Sequence, residues 1–471
     1  MTKADVFEAV ESNRETLTEL ARDIWEHPEL AFRETRSAAA IQRVLREAGF
    51  EIETGIADIE TAFVARYGEA DPVVGTQGEF DALPGLSQEV GAEREPVEEG
   101  APGHGCGHNL FGTASLAGAI AVKEAIERGD VEGSVVFFGT PAEEAGGGKV
   151  YMVRAGAFEE VDAMVSWHPG WYNAPNKASC LANDSFEFTF EGESSHAAAS
   201  PETGRSALDA AQLMNTGVEY MREHVVDEAR IHYVIQDGGK APNVVPPTAT
   251  VEYTIRAPKR EQVERITDWV KDVAEGAALM TDTEVRSTQL GAMYGVLPNE
   301  TLADAVRRNM DEVDETDRMT FDDEGLELAR ELRDSLGDVS AALEELPEDR
   351  RAEAAEAAMY VDPLDATDAG EVGMYSTDSG DVSWNVPLGR FRAATWPVGT
   401  PPHSWQAVAA SGSIGIEGAL FAAKVIGGSL YDLLDDEELL AAARDEFETR
   451  TAGFEYESPL EPDTTPANLT R

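Results

Sequence analysis

Apolar residues recur at two different periods along the chain, and the change of period divides it. Val6, Val10, Leu17, Leu20 and Ile24 fall on one face of a helix, and Ile41, Val44 and Leu45 mark a second amphipathic helix ending at Gly49. Strands are predicted over 61–67 and 73–80. The continuous apolar runs at 135–138 and 161–167 read as buried strands, because a strand covered on both faces needs no polar side. Residues 109–128, rich in Ala and Gly, predict a helix that packs closely on a sheet. Strand and helix alternate here, which predicts an α/β domain with a mostly parallel sheet covered on both faces.

From residue 184 the period shortens. Phe186, Phe188 and Phe190 alternate strictly, as in a strand with one buried face. A helix near 205–224, strands near 229–236 and 248–256, a helix near 259–279 and a strand near 283–290 complete a β-α-β-β-α-β order, which suits a ferredoxin-like α+β domain. The reading is of a domain over 184–297 inserted into one formed by 1–183 and 298–471. Beyond 299 come long helices and then an apolar stretch at 387–398. Residues 311–370 carry 21 acidic and 5 basic side chains, which predicts a solvated helical excursion. There is no internal repeat and no low-complexity linker.

Composition narrows the function classes. A chain of 471 residues that is 42% hydrophobic has apolar mass for two packed domains. Its net charge of −53 and its lack of any basic cluster argue against a nucleic-acid partner, since phosphate binding needs a basic face. Such an imbalance costs self-repulsion in dilute buffer. Work in high salt is therefore expected, where the Debye length shrinks to about 3 Å at 1 M. Cys106 and Cys180 are too few for a disulfide framework and are read as reduced thiols. No apolar signal core opens the sequence and no run reaches membrane-span length, so a cytoplasmic location is expected.

The chemistry concentrates in Gly103-His104-Gly105-Cys106-Gly107-His108-Asn109 and in Pro141-Ala142-Glu143-Glu144. Cys106 and His108 are two apart, so one turn of backbone can offer thiolate and imidazole to a single dication, and the helix start behind them favours the thiolate. Glu144, His168 and His403 are the remaining candidate ligands, each beside a glycine or proline where a loop carries side chains into a cleft. Glu143 is then left to handle a proton as general base. Taken alone, a Cys-x-His is usually a buried thiol near an ordinary histidine, and a Glu-Glu pair in so acidic a chain is usually solvated. Context shifts both readings, because the carboxylates and His168 follow predicted strands, where open α/β sheets place their sites. The combination points to metal-assisted hydrolysis. A cysteine-nucleophile hydrolase with Cys106 attacking directly is a more distant reading.

Further blocks run in order along nearly the whole chain: Glu79 to Gly85, Ser194-Ser195-His196-Ala197-Ala198, Gly204 to Asp209, Ala241 to Pro246, Ser376 to Ser383, and Pro402-His403-Ser404-Trp405. With the two motifs above they resemble the M20 metallopeptidases and amidohydrolases, in the branch where cysteine replaces a bridging aspartate. The resemblance implies a zinc-peptidase-like α/β catalytic domain with an inserted ferredoxin-like lid that also forms a homodimer. It implies two divalent cations, zinc or manganese, with Cys106 bridging, His108 and His168 on one, and Glu144 and His403 on the other. By the same resemblance Glu143 is the general base, His196 polarises the scissile carbonyl, Asn243 and Arg256 hold a substrate carboxylate, and Asp81 orients a ligand from behind. Locally, His196 could equally cap a turn, Asn243 fill one, and Arg256 pair with surface acids. The implied reaction is hydrolysis of N-acyl or N-aroyl amino acids, with p-aminobenzoyl-glutamate cut to p-aminobenzoate and glutamate as the specific expectation. A broader dipeptidase or carboxypeptidase, and a non-catalytic partner subunit, are the alternatives; a second, different subunit is a possible partner. Asn109 and Glu79 depart from the wider family pattern: Glu79 stands where other branches place a metal histidine, so His108 is expected to take over that duty.

Overall fold

The computed structural model describes residues 3–466. The chain packs into two compact units, one of Met1–Ala178, Leu297–Glu371 and Val382–Tyr456, the other of Ser179–Val296, Val372–Asp381 and Glu457–Arg471.

Among the described residues the first unit holds a seven-stranded sheet, ordered Glu51–Thr54, Phe63–Tyr67, Ser134–Gly139, Val73–Gly78, Ala163–Gly170, Leu388–Ala394, Ala174–Asn176. The four strands from Ser134–Gly139 to Leu388–Ala394 run parallel. The outer strands pair antiparallel. The sheet is therefore mixed, where alternation of elements predicts a mostly parallel one. The cause is connection length: the links into Phe63–Tyr67 and Ala174–Asn176 contain no crossover helix, which a parallel neighbour requires. Every residue of Val73–Gly78 and Ser134–Gly139 is buried, so the sheet centre is covered on both faces.

The helices His108–Arg128 and Gly415–Asp435 form the heart of this unit's core, with Leu110, Phe111, Leu420 and Ile426 among its fully buried side chains. Each such side chain contributes roughly 1.5–3 kcal/mol by leaving water. Small residues set how closely they approach: a Cβ on Gly118 would lie 2.7 Å from Ile426 and 3.0 Å from the Ala423 carbonyl. The N-terminal periodicity that reads as one helix is realised as two, Lys3–Ser12 and Arg14–Glu26, because Asn13 turns the chain and its side-chain amide donates to the Ala9 carbonyl at 2.9 Å. The acidic excursion is helical, as expected, but it also buries Ala329, Leu332, Leu346 and Tyr360 around Trp396. Among the described residues no single helix is long and apolar enough to cross a membrane.

The second unit is a four-stranded antiparallel sheet, ordered Glu284–Met293, Ala182–Glu191, Thr248–Ala257, Arg230–Asp237. With the helices Ala207–Met221 and Arg260–Thr281 this is the ferredoxin-like arrangement. Phe186, Phe188 and Phe190 face those helices in one buried cluster. Two segments from 298–471 join the unit, although hydropathy leaves them with the first domain. Val372–Gly373 pairs with Ser179–Cys180. Gln289 accepts from the Glu461 N–H (2.7 Å) and the Thr464 hydroxyl (3.0 Å), while Lys271 pairs with Glu461 at 2.8 Å. Such links use backbone and polar groups, which leave no hydrophobic period in the sequence.

Candidate metal centre

The parallel strands deliver their ligand-bearing loops to one end of the first unit's sheet. Val73–Gly78 leads directly into Glu79 and Asp81, Ser134–Gly139 into Pro141 to Glu144, and Ala163–Gly170 carries His168 near its end. Cys106 sits on the turn before the helix that opens at His108. Gly107 makes that turn possible: it is left-handed, and a Cβ there would lie 2.9 Å from Pro169. His403 arrives from a later turn and is tied to the same place by its N–H, which donates to the Gly105 carbonyl at 2.8 Å.

Convergence is tight. Ligand atoms of Cys106, His108 and His168 lie within 4.8 Å of one another, and so do those of Cys106, Glu144 and His403. Cys106 is common to both groups. Cys106 Sγ is 3.3 Å from His168 Nε2, and Glu144 Oε1 is 3.4 Å from His403 Nε2 and 4.0 Å from His108 Nε2. Both inner imidazoles are oriented from behind. His168 Nδ1 lies 2.8 Å from the Pro169 carbonyl, which can only accept, so Nδ1 carries the proton and Nε2 offers a lone pair. His108 Nδ1 lies 2.8 Å from Asp81 Oδ1. A carbonyl or carboxylate behind the ligating ring is the usual support of a metal-bound histidine. The other histidine of the motif, His104, is spent elsewhere, 3.1 Å from the Ile24 carbonyl.

The electrostatics also suit a cation. Burial, aided by the nearby His108, pushes His168 down to about 3, leaving a neutral imidazole. Burial and Glu144 push the Cys106 thiol up. Burial opposes charge on His108, but Cys106 and the carboxylates of Glu79 and Asp81 outweigh it and hold His108 well above its ordinary value. A proton on His108 thus occupies the place where a dication would balance the same anions. His108 Nε2 and Glu144 Oε1 are buried and make no hydrogen bond, which is the state of ligand atoms aimed at an ion. These donors fit a divalent metal.

Residues 75–332 match Peptidase family M20/M25/M40. The chain is 40% identical to one of the chains of the p-aminobenzoyl-glutamate hydrolase of Escherichia coli (strain K12), over 98% of both sequences. The chain belongs to the M20 family. It is also 32% identical to the Xaa-Arg dipeptidase of Mus musculus, over 66% of this chain and 71% of that one. In fold it resembles a dinuclear metal-binding peptidase of the M20 family from Bacillus subtilis, with a TM-score of 0.58 and 20% identity, covering 90% of this chain and 99% of that chain. The chain is accordingly a hydrolase of mixed α/β architecture.

In this M20 protein Glu79 is closer to the cluster than the sequence suggests. Its Oε2 is 3.1 Å from His108 Nε2, its other oxygen is 2.7 Å from the buried Lys149, and Glu79, His108 and Glu143 form a third group of converging ligand atoms. Glu143 therefore lies against the cluster. Asp81 has a double role, since its second oxygen accepts the Glu144 N–H at 2.9 Å. The Lys149 pairing is missed by sequence reasoning, although Lys149 closes the glycine run after Glu144. The remaining expected residues belong to the second unit. His196 is exposed, and its Nδ1 accepts from the N–H groups of Ala198 (3.2 Å) and Ala199 (3.1 Å), the turn-capping arrangement. Asn243 is exposed beside it, its carbonyl accepting the Ala197 N–H at 3.1 Å. Arg256 lies on the central strand Thr248–Ala257, and its Nε is buried without a hydrogen bond.

Proposed function

We propose that this protein hydrolyses the amide bond of N-acyl or N-aroyl amino acids, with p-aminobenzoyl-glutamate as the first substrate to test. The observation that carries this reading is the pair of ligand groups sharing Cys106, with Glu143 against them. Identity to the Escherichia coli hydrolase chain over its full length supports the substrate. Two divalent cations would be held by Cys106 between them, by His108 and His168, and by Glu144 and His403; thiolate and imidazole suit zinc, the carboxylates suit manganese. Such ions supply Lewis acidity that acidifies water and polarises a carbonyl. Glu143 takes the proton of the attacking water and passes it to the departing amine nitrogen. Asp81 keeps His108 turned toward the cluster and fixes the Glu144 backbone. His196 stabilises the developing oxyanion, a contribution of about 3 kcal/mol for one donor. Asn243 and Arg256 hold the substrate carboxylate, and the unsatisfied Arg256 Nε favours that role.

The assembly we propose is a homodimer through the second unit, in the cytoplasm and at high salt. A second, different subunit is a further partner, because the similar Escherichia coli protein is itself named as one subunit of a hydrolase. Loss of activity on adding salt would remove the high-salt part. The Xaa-Arg dipeptidase likeness favours a broader dipeptidase as the second reading. Purified protein is incubated with manganese, zinc or cobalt and offered acyl-glutamates, aroyl-glutamates and dipeptides. Metal-dependent release of p-aminobenzoate, faster than any dipeptide, is the expected result. Faster dipeptide cleavage favours the second reading, and no hydrolysis with any metal refutes both.

A further inference from the structure

Glu34 is one of 90 acidic residues, and it is fully buried. It is the residue before the helix Thr35–Glu47, and its side chain does not cap that helix. Instead Glu34 Oε1 accepts two backbone N–H groups, from Phe32 and from Ala142, each at 2.9 Å. Oε2 accepts the Thr61 hydroxyl at 3.0 Å. Both residues that donate backbone N–H groups are non-glycine residues in the left-handed region, Phe32 at φ 62° and Ala142 at φ 61°. An L-residue adopts that conformation at a cost and persists there only when its surroundings over-determine it. Ala142 is the residue immediately before Glu143.

The other side of Glu143 is held in the same way. The Glu144 N–H donates to Asp81 Oδ2 at 2.9 Å, while the Ala142 carbonyl accepts from Gly147 (3.0 Å) and Gly148 (3.3 Å). Two buried carboxyl groups from distant parts of the chain thus grip the backbone on either side of one glutamate.

We infer that Glu34 is a positioning residue: by holding the Ala142 N–H it fixes the left-handed step that aims the Glu143 carboxylate. The inference rests on the proposed role of Glu143 as base and names what sets its geometry. Burial and the charge of Asp81 push the Glu34 carboxyl up to about 8. A neutral amide of the same shape is therefore the conservative replacement: its carbonyl keeps both N–H groups, and the Thr61 hydroxyl turns to accept from its NH2.

The test compares Glu34→Ala, Glu34→Gln and Glu143→Gln in the full chain reconstituted with manganese. Glu34→Ala is expected to lower kcat by about tenfold to a hundredfold, the size of effect that a small misplacement of a reacting group produces. KM and bound manganese stay as in the parent, and backbone amides over 139–147 exchange faster with deuterium. Glu34→Gln matches the parent in all four. Unchanged kcat in Glu34→Ala, an equal fall in Glu34→Gln, or manganese lost in step with kcat would overturn the inference. If Glu34→Ala does not fold, Glu34→Asp, one methylene too short, takes its place with the same expected losses, and parent-like kcat there is equally fatal. An active Glu143→Gln enzyme refutes the base itself, whereas an inactive one beside a fully active Glu34→Ala refutes Glu34 alone.

Discussion

Each unit buries a cluster of charges, and the two clusters are built on opposite principles. In the second unit Asp184 and Arg260 face each other at 2.7 Å. Thr267 donates its hydroxyl to Asp184 at 2.6 Å, and Arg260 also reaches the Asn183 carbonyl at 3.0 Å. One anion meets one cation, and the neighbours absorb what remains. In the first unit Glu79, Asp81, Cys106, Glu143 and Glu144 converge on His108, His168 and His403, and Lys149 is the fixed cation among them. That cluster has more acceptors than the protein itself can satisfy. Buried charge alone therefore says little about function, since a closed pair is structural; a surplus of ligand atoms pointing at one spot is what demands an ion.

The sharpest way to break this comparison is Cys106→Ala, which removes the atom common to both ligand groups. Bound metal and hydrolysis should fall together to background, read by elemental analysis and product release; retained metal would mean that the two groups do not depend on Cys106. Next in size, Glu143→Gln should keep its metal and lose about 10²–10⁴-fold in kcat, the contribution typical of a positioned base. Asp184→Ala probes the opposite cluster, where an uncompensated buried guanidinium should cost about 3–5 kcal/mol in denaturant unfolding. Its metal content should not change. Smallest is Asp81→Asn, which weakens the support behind His108 and should lower metal affinity or activity about 10–100-fold. A loss of metal in Asp184→Ala, or none in Asp81→Asn, would erase the distinction between the clusters.

Much of this contrast is legible in the sequence. Cys106, His108, Glu144, His168 and His403 stand out because each follows an apolar run broken by glycine or proline, and strand ends are where such breaks place side chains. The ferredoxin-like order of the second unit is equally visible, since its strands alternate and its helices carry their own period. Strand direction is not visible: Phe63–Tyr67 has the same composition whether it runs parallel or antiparallel, and only the missing crossover decides. Glu34 and Lys149 escape notice for another reason. Their partners are a backbone N–H and a distant carboxylate, and neither contact leaves a pattern of residue types near them. The segment at 457–466 is held by Gln289 and Lys271 through polar contacts, which hydropathy does not record.

The central claim is that one thiolate, Cys106, is shared by two cations. Cobalt-substituted protein tests it directly, because a thiolate bound to cobalt gives an intense charge-transfer absorption in the near ultraviolet. The account predicts two cobalt ions per chain and such a band, abolished in Cys106→Ser and intact in Cys180→Ser. A chain that binds cobalt without the band, or whose band survives Cys106→Ser, would contradict it.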